Sequence, residues 1–357
     1  VPVSQRPTLA DVASAAGVSV STASLAFSGA GPIADSTRRR VLDAAVGLGY
    51  SGPNPLGRQL RSGRSGIVGV VVGDALRRSF RDPVSIQMLD GLVDTLGPLG
   101  IGVLLIPGPT GPDAPAVDPL VESAAMDVAV MLWGATLDDP TLQALGRRGI
   151  PAVVVEGQDL PGVVTIGIAD REGVADATRH LVGLGHSRIA TVTLPFGPER
   201  RSGLADETRL GELTWTIARR RLDGLRDAGV TPTAVYETPA SLVEHGTAAA
   251  HALLSGPAGT RPTAIVAQSD LLASGVVLGA RELGLRVPED VSVAGFDGLD
   301  LPWLAPDLLT TVTQPITEKG ATVGRVIGAL LAGETPEDDV LPVQLRVGTT
   351  TGPAPRA

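Results

Sequence analysis

Four carboxylates and a serine stand directly after short apolar runs. They are Asp74 after residues 67–72, Glu156 after 152–155, Ser269 and Asp270 after 264–267, and Asp297 after 291–295. Carboxylates and hydroxyls gathered at strand ends can hold the hydroxyl groups of a sugar or nucleoside, because each makes paired or charge-assisted hydrogen bonds. The same residue types also cap helices at strand–helix turns. Capping is an open alternative for Glu156 and accounts equally well for Asp74 and Asp270. Other chemistries lack their residues. The four histidines (His180, His186, His245, His251) have no metal-ligand spacing. No Ser-His-Asp arrangement or phosphate loop stands out, and Gly295-Phe296-Asp297-Gly298 is not a dinucleotide fingerprint. No catalytic residue, cofactor or metal is therefore expected.

The elements that must carry these side chains alternate from residue 67 onward. Strands are expected at 67–72, 103–106, 128–132, 152–155 and 163–168, with helices at 84–99 and 142–147. The alternation then restarts. Helices fall at 173–184, 213–227, 246–254 and 271–283, and strands at 189–192, near 235, at 264–267 and at 291–295. Strands alternating with helices give parallel sheets wound on both sides, and two successive runs give two lobes with a cleft between them. Residues 107–119, rich in Pro and Gly, read as a surface loop, and the tail from Gly348 reads as frayed coil.

The first fifty residues have a different design. Leu9, Val12, Ala13 and Ala16 recur at helical spacing, behind Thr8 as N-cap. Gly17 can end that helix in the left-handed conformation, Val18 can plug the crossing, and Ser19 can cap a second helix with Ala23, Ala26 and Phe27 inward. Two helices joined by so short a turn form a DNA-reading helix-turn-helix, or a plain helical hairpin. A third helix is expected over 35–48, with Val41, Leu42, Ala45 and Leu48 inward. Beyond it, Asn54 and Pro55 open a short helix over 55–61, in which Gly57 costs about 1 kcal/mol relative to Ala.

Charge separates these parts. Residues 1–66 hold seven Arg and three Asp, a net +4, within a 357-residue chain of net charge −9, so the remainder carries −13. A basic head on an acidic body suits a phosphate-binding module joined to a regulatory domain. Cysteine is absent and the aromatic content is 3%, so the core is aliphatic and no disulfide or thiolate site is possible. No apolar leader or membrane-length stretch is seen, and a cytoplasmic protein without a membrane partner is expected. Lys319 is the only lysine. With abundant Ala, Gly and Pro, this suggests a GC-rich coding bias.

Several strings in fixed order resemble the lactose-repressor (LacI/GalR) family of bacterial transcription factors. They are Leu9-Ala10-Asp11-Val12-Ala13, Gly17-Val18-Ser19 with Thr22 and Ser24, Gly47-Leu48-Gly49-Tyr50, the 53–61 segment, and Leu184-Gly185-His186-Ser187-Arg188-Ile189-Ala190. They continue through residues 282–293, Gly295-Phe296-Asp297, residues 309–312 and Gln314-Pro315. The resemblance implies a helix-turn-helix headpiece (1–51), a hinge helix or linker (52–66), and a periplasmic-binding-protein-like body of two doubly wound α/β lobes. The first lobe is expected to take 67–167 plus 315–335, and the second 168–313 plus 338–351, with 352–357 as tail. It implies a homodimer on near-palindromic operator DNA, in which Val20, Ser21 and Leu25 face base edges. Ser19, Thr22, Ser24, Arg58 and Arg61 would then touch phosphates, and Leu60 would wedge into the minor groove. Leu25 and Gly57 depart from the family, which often carries Arg or His, and Ala, there. Arg221 matches the family's effector-contacting Arg and joins Asp74, Glu156, Ser269, Asp270 and Asp297 as effector candidates. Ser241 replaces a stacking aromatic, and Trp303 is offered either as a substitute ring or as core. The expected function is a repressor whose operator affinity is set by a sugar or nucleoside. The alternative is a sugar-binding protein or sugar-acting enzyme on the same body.

Overall fold

The structure, a computed structural model, describes residues 7–28, 31–52, 63–73, 76–108 and 115–356. The expected hinge helix with Arg58, Leu60 and Arg61, and the effector candidate Asp74, lie outside those residues. The described chain divides into two units, Val1–Gly66 and Ile67–Ala357.

Among its described residues the first unit has three helices: α1 (Leu9–Ala15), α2 (Val20–Ser28) and α3 (Asp35–Leu48). Thr8 and Asp11 form a capping box, with Asp11 N donating to Thr8 Oγ1 and Thr8 N to Asp11 Oδ2. Gly17 has φ +62° and turns the chain, so that α2 leaves α1 at 104°. That angle lies within the range of helix-turn-helix pairs. Val12, Ala13, Ala16, Ala23, Ala26, Val41 and Ala45 fill the core, and Phe27 meets Tyr50 edge-on at 5.6 Å. Leu42 and Leu48 do not face inward as expected; they are 38% and 41% exposed. Leu42 lies about 100° round the helix from Val41, and Leu48 sits in the last turn.

The second unit runs β1 (Ile67–Val72), α4 (Leu76–Ser79), α5 (Pro83–Leu96), β2 (Gly102–Pro107), α6 (Pro119–Ser123), β3 (Val128–Leu132), α7 (Pro140–Arg147), β4 (Ala152–Val155) and β5 (Val164–Ile168). It continues α8 (Asp170–Gly183), β6 (Ile189–Thr193), β7 (Gly203–Leu204), α9 (Glu207–Gly211), α10 (Thr216–Asp227), β8 (Val235–Glu237), α11 (Val243–Leu254), β9 (Ala264–Ala267) and α12 (Asp270–Glu282). It closes with β10 (Ser292–Asp297), β11 (Thr310–Thr313), α13 (Ile316–Ala332), β12 (Asp339–Leu341) and β13 (Gln344–Arg346). The first sheet has the order β12-β5-β4-β3-β1-β2 and is wholly parallel. The second has the order β13-β11-β10-β9-β6-β8-β7, with only its outermost strands antiparallel. Continuous apolar runs such as β1 and β3 are buried on both faces, as helices on either side of a parallel sheet require. Helix α13 returns to the first lobe and packs on α5, where Gly91 and Gly320 let the two backbones touch.

The chain passes between the sheets after β5, after β11 and between β12 and β13. The third crossing differs from expectation. Residues 339–341 pair with β5 of the first sheet (Leu341 opposite Ile168), so the crossing follows Leu341 instead of preceding it. Pro342 has no N–H to continue the ladder, which frees the chain to cross there. The tail from Gly348 is also not frayed. Thr350 is fully buried, donates to Val293 O at 2.8 Å and accepts from Thr310 N at 2.9 Å. Buried His186 donates through Nε2 to Gly352 O at 3.0 Å, and Ala354 N reaches Leu184 O. The threonine hydroxyls satisfy polar groups that coil could not hold in place.

Candidate functional site

A cleft of about 670 Å³ opens where the carboxyl ends of both sheets face each other. Each strand end contributes a turn and a side chain: Trp133 after β3, Glu156 after β4, Leu194 after β6, Ser269 after β9 and Asp297 closing β10, with Gln314 from the second crossing. Four effector candidates are therefore brought together: Glu156, Ser269, Asp297 and Arg221. Asp270 is not among the lining residues. Its Oδ2 accepts from Gly298 N (2.8 Å) and Leu299 N (2.7 Å), and its Oδ1 from the Thr311 hydroxyl (2.5 Å). It ties down the loop after β10 instead of facing the cavity.

Arg221 comes from α10 and is 3% exposed. One Nη donates to Gln268 O, the other lies 3.7 Å from Glu156 Oε2, and the guanidinium sits 3.8 Å from the Phe296 ring centre. Its Nε and Asp170 Oδ2 stand 3.9 Å apart, and both are buried without a hydrogen-bond partner. Asp297 accepts from Gln314 Nε2 (2.8 Å) and from Asp270 N (3.3 Å). Lys319, fully buried on α13, contacts Glu156 Oε1 and donates to Gln314 Oε1 at 2.7 Å.

The electrostatics follow from this packing. Burial pushes the Asp297 carboxyl well above the usual range, Asp270 and Asp82 add to the rise, and Arg221 and Gln314 oppose it. Burial likewise raises Asp82, and lifts Asp170 to about 6. Burial would raise Glu156 too, but the Lys319 and Arg221 charges outweigh it and hold that carboxyl low. The floor is thus a set of carboxylates whose ionisation depends on two buried cations.

Backbone strain marks the same place. Among the described residues, three non-glycines have positive φ: Trp133 (67°), Glu156 (59°) and Asp297 (133°). All three line the cleft. Such conformations cost on the order of 1–3 kcal/mol each and cluster at binding sites. Each of these residues precedes a glycine (Gly134, Gly157, Gly298), a sequence signal that could have singled them out.

Several cleft residues escaped sequence reasoning. Trp133 and Trp215 line the cavity from opposite lobes, with Arg200 4.8 Å above the Trp215 ring and Lys319 Nζ 5.3 Å from that of Trp133. Trp303 serves neither suggested role, being 48% exposed on the 3-10 turn Pro302–Leu304. Ser241 does line the cleft and donates to Ser269 Oγ at 2.8 Å. Asp82, N-cap of α5, and Gln314 also line it and were not foreseen.

On the headpiece, Val20 (50% exposed), Ser21 and Leu25 (36%) lie open on α2, while Thr22 and Ser24 are half-buried. Ser19 Oγ accepts from Thr22 N at 3.1 Å, so the expected phosphate ligand also caps the helix.

A helix-turn-helix unit joined to a two-lobed, cleft-bearing body defines a DNA-binding regulator. The chain belongs to the lacI family of bacterial regulatory proteins. Residues 8–54 match "Bacterial regulatory proteins, lacI family", and residues 178–351 match "Periplasmic binding protein-like domain". It is 34% identical to an HTH-type transcriptional regulator of Mycobacterium tuberculosis over 98% of both chains. It is 30% identical to the regulator CelR of Thermobifida fusca over 97% of this chain and 96% of that one. Among solved structures it resembles the lac repressor dimer bound to operator and the anti-inducer ONPF, with TM-score 0.78, 25% identity, and 98% and 100% of the two chains covered. It also resembles a CelR–cellobiose complex, with TM-score 0.67, 29% identity, and 97% and 100% coverage. The protein is therefore a DNA-binding transcriptional regulator. Among the described residues no single helix is long and apolar enough to cross a membrane.

Proposed function

We propose that this regulator is a repressor whose hold on a near-palindromic operator is set by a neutral sugar or nucleoside bound in the cleft. The observation that carries this reading is the convergence of Arg221, Glu156, Ser269 and Asp297, two of them strained, on one cavity of about 670 Å³. That volume suits a small polar ligand. CelR, a relative of similar architecture, is seen with cellobiose. On the headpiece, Val20, Ser21 and Leu25 face base edges, and Ser19, Thr22 and Ser24 meet phosphates. In the 53–62 segment, Arg58 and Arg61 meet phosphates and Leu60 wedges into the minor groove.

A homodimer supplies the second half-site reader. Ile86 and Val93, seven residues apart on α5, are 47% and 50% exposed, an apolar stripe suited to a second copy. Ligand and operator are linked by one reciprocal coupling free energy. The headpiece and the regulators it resembles count against a solute-binding protein or an enzyme.

The test pairs gel shifts on palindromic DNA with thermal shift against D-cellobiose, D-ribose and adenosine. Operator affinity should fall steeply with salt, and a ligand that raises the melting temperature should change it. Salt-insensitive binding, or a bound ligand without effect on DNA affinity, would refute the reading.

A further inference from the structure

Of the 29 lysines and arginines all but one are Arg; the exception is Lys319. It is fully buried just beneath the cleft floor without lining it. An ammonium carries only donors, so the oxygen of Gln314 must face it, at 2.7 Å. That contact fixes an amide whose two ends are otherwise interchangeable. It turns Gln314 Nε2 onto Asp297 Oδ1, at 2.8 Å. The same ammonium contacts Glu156 Oε1. Glu156 follows β4 of the first lobe, Asp297 closes β10 of the second, and Gln314 lies on the crossing between them. A guanidinium fork spreads its donors in one plane and serves a carboxylate and a neighbouring amide oxygen less compactly than a point charge.

We propose that Lys319 is a positioning residue for both cleft carboxylates, Glu156 directly and Asp297 through Gln314. The cleft so set takes a neutral, hydroxyl-rich ligand and rejects its phosphorylated counterpart. Gln314 Nε2 already donates to Asp297 Oδ1 and Asp270 N to its Oδ2, and the positions that remain, on an ionised or a protonated carboxyl, suit ligand hydroxyls, which both donate and accept. The cavity lining holds five carboxylates (Asp82, Asp138, Asp139, Glu156 and Asp297) against three guanidiniums (Arg78, Arg200 and Arg221), and this acidic excess disfavours an added anion. This specificity rests on the cleft being the effector site; the positioning role does not.

Two measurements on the full chain separate them. The first needs no ligand. The protonated-carboxyl infrared band that disappears in Asp297→Asn is followed against pH. Around Asp297 stand Asp82, Asp270, Arg221 and Gln314, which are unchanged in Lys319→Met. In that variant Gln314 is free to turn its oxygen to Asp297. The band's midpoint should rise by about one pH unit, the worth of one hydrogen bond to a charged acceptor. Gln314→Leu, which leaves the lysine with Glu156 and removes the amide donor from Asp297 without adding a charge, should raise it too, so a poorly folding Lys319→Met does not decide the matter. An unchanged midpoint in either folded variant overturns the positioning role. The second compares D-ribose with ribose 5-phosphate and adenosine with its 5′-monophosphate by calorimetry. Binding by the neutral member alone supports the specificity, and tighter binding by the phosphorylated member overturns it. A protein silent to all four and to D-cellobiose refutes the specificity and the effector reading together, while the infrared result stands by itself.

Discussion

Replacing Asp270 by Asn should leave the protein more stable at pH 8 than the wild type, although it removes a buried, hydrogen-bonded charge. The Asp270 carboxyl is buried and its pKa is pushed up to about 6, from 3.8, by that burial, against the pull of Thr311, Leu299 and Gly298. Between about pH 4 and pH 6 the unfolded chain has lost this proton while the folded chain keeps it, so stability falls as pH rises through that window. A rise of about two units at about 1.4 kcal/mol each puts the loss near 3 kcal/mol above pH 6. Asn escapes it. Its Oδ1 can take the place of the oxygen that accepts from Gly298 N and Leu299 N, and its amide can donate to the Thr311 hydroxyl. Setting about 1 kcal/mol against a weaker neutral acceptor leaves a net gain of roughly 1–2 kcal/mol at pH 8 and none at pH 4. Asp270→Ala instead orphans the buried Leu299 N, leaves Gly298 N only a long contact to the Thr311 hydroxyl, and should lose about 1–3 kcal/mol at either pH. Urea unfolding of the three proteins at pH 4 and pH 8 measures all of this. An Asn variant that loses as much as the Ala variant at pH 8 would falsify the assignment of a proton to this site. Because Asp270 faces the loop and not the cavity, ligand affinity should change far less in the Asn variant than stability does.

Three shorter expectations concern other parts of the chain. Thr8→Ala removes the capping box of α1 and should cost the headpiece about 1 kcal/mol, seen as lower operator affinity and earlier loss of helix by circular dichroism. Leu25→Arg places a bidentate donor on the open face of α2 and should shift base preference towards guanine at one operator position by about 1–3 kcal/mol, read from gel shifts on substituted operators. Burial depresses the His186 pKa below 6.5, so the folded ring stays neutral and its contribution is lost as pH falls through that range. The segment beyond Gly348 should therefore be cleaved more readily by limited proteolysis in mildly acidic buffer than at about pH 8, and equal cleavage in both would count against the anchor.

What could be seen in the sequence was set by the range of the forces involved. The headpiece is governed by neighbours a few residues apart: Thr8 with Asp11, Gly17 at the turn, Ser19 with Thr22 and Gly49 after α3. Such contacts leave local signatures. Glu156, Ser269 and Asp297 were visible because a strand end is local too. Asp270 was misplaced because a carboxylate one residue past Ser269 can face a ligand or the next loop, and only the position of Gly298 and Leu299 decides which. Trp133 and Trp215 are 82 residues apart in number and share a wall only through the packing of two sheets. The pairing of residues 339–341 with β5 likewise depends on which sheet edge is nearer after α13 returns.

The three strained residues tie the fold to the site more closely than the contacts do. Trp133, Glu156 and Asp297 each end a strand and each precede a glycine. In a flat continuation their side chains would follow the strand's alternation, in or out of the sheet face. A positive φ breaks that alternation and turns the chain sharply, so the residue projects beyond the sheet edge into the cleft. Glycine would hold the same turns at lower cost, so stability alone does not account for a tryptophan and two acids. The sheets' hydrogen-bond ladders and the buried Lys319 supply the surroundings that keep them there. The stabilising effect of a ligand should accordingly exceed what its contacts suggest, because donors on the ligand relieve the carboxylate crowding that burial imposes on Asp297 and Asp82.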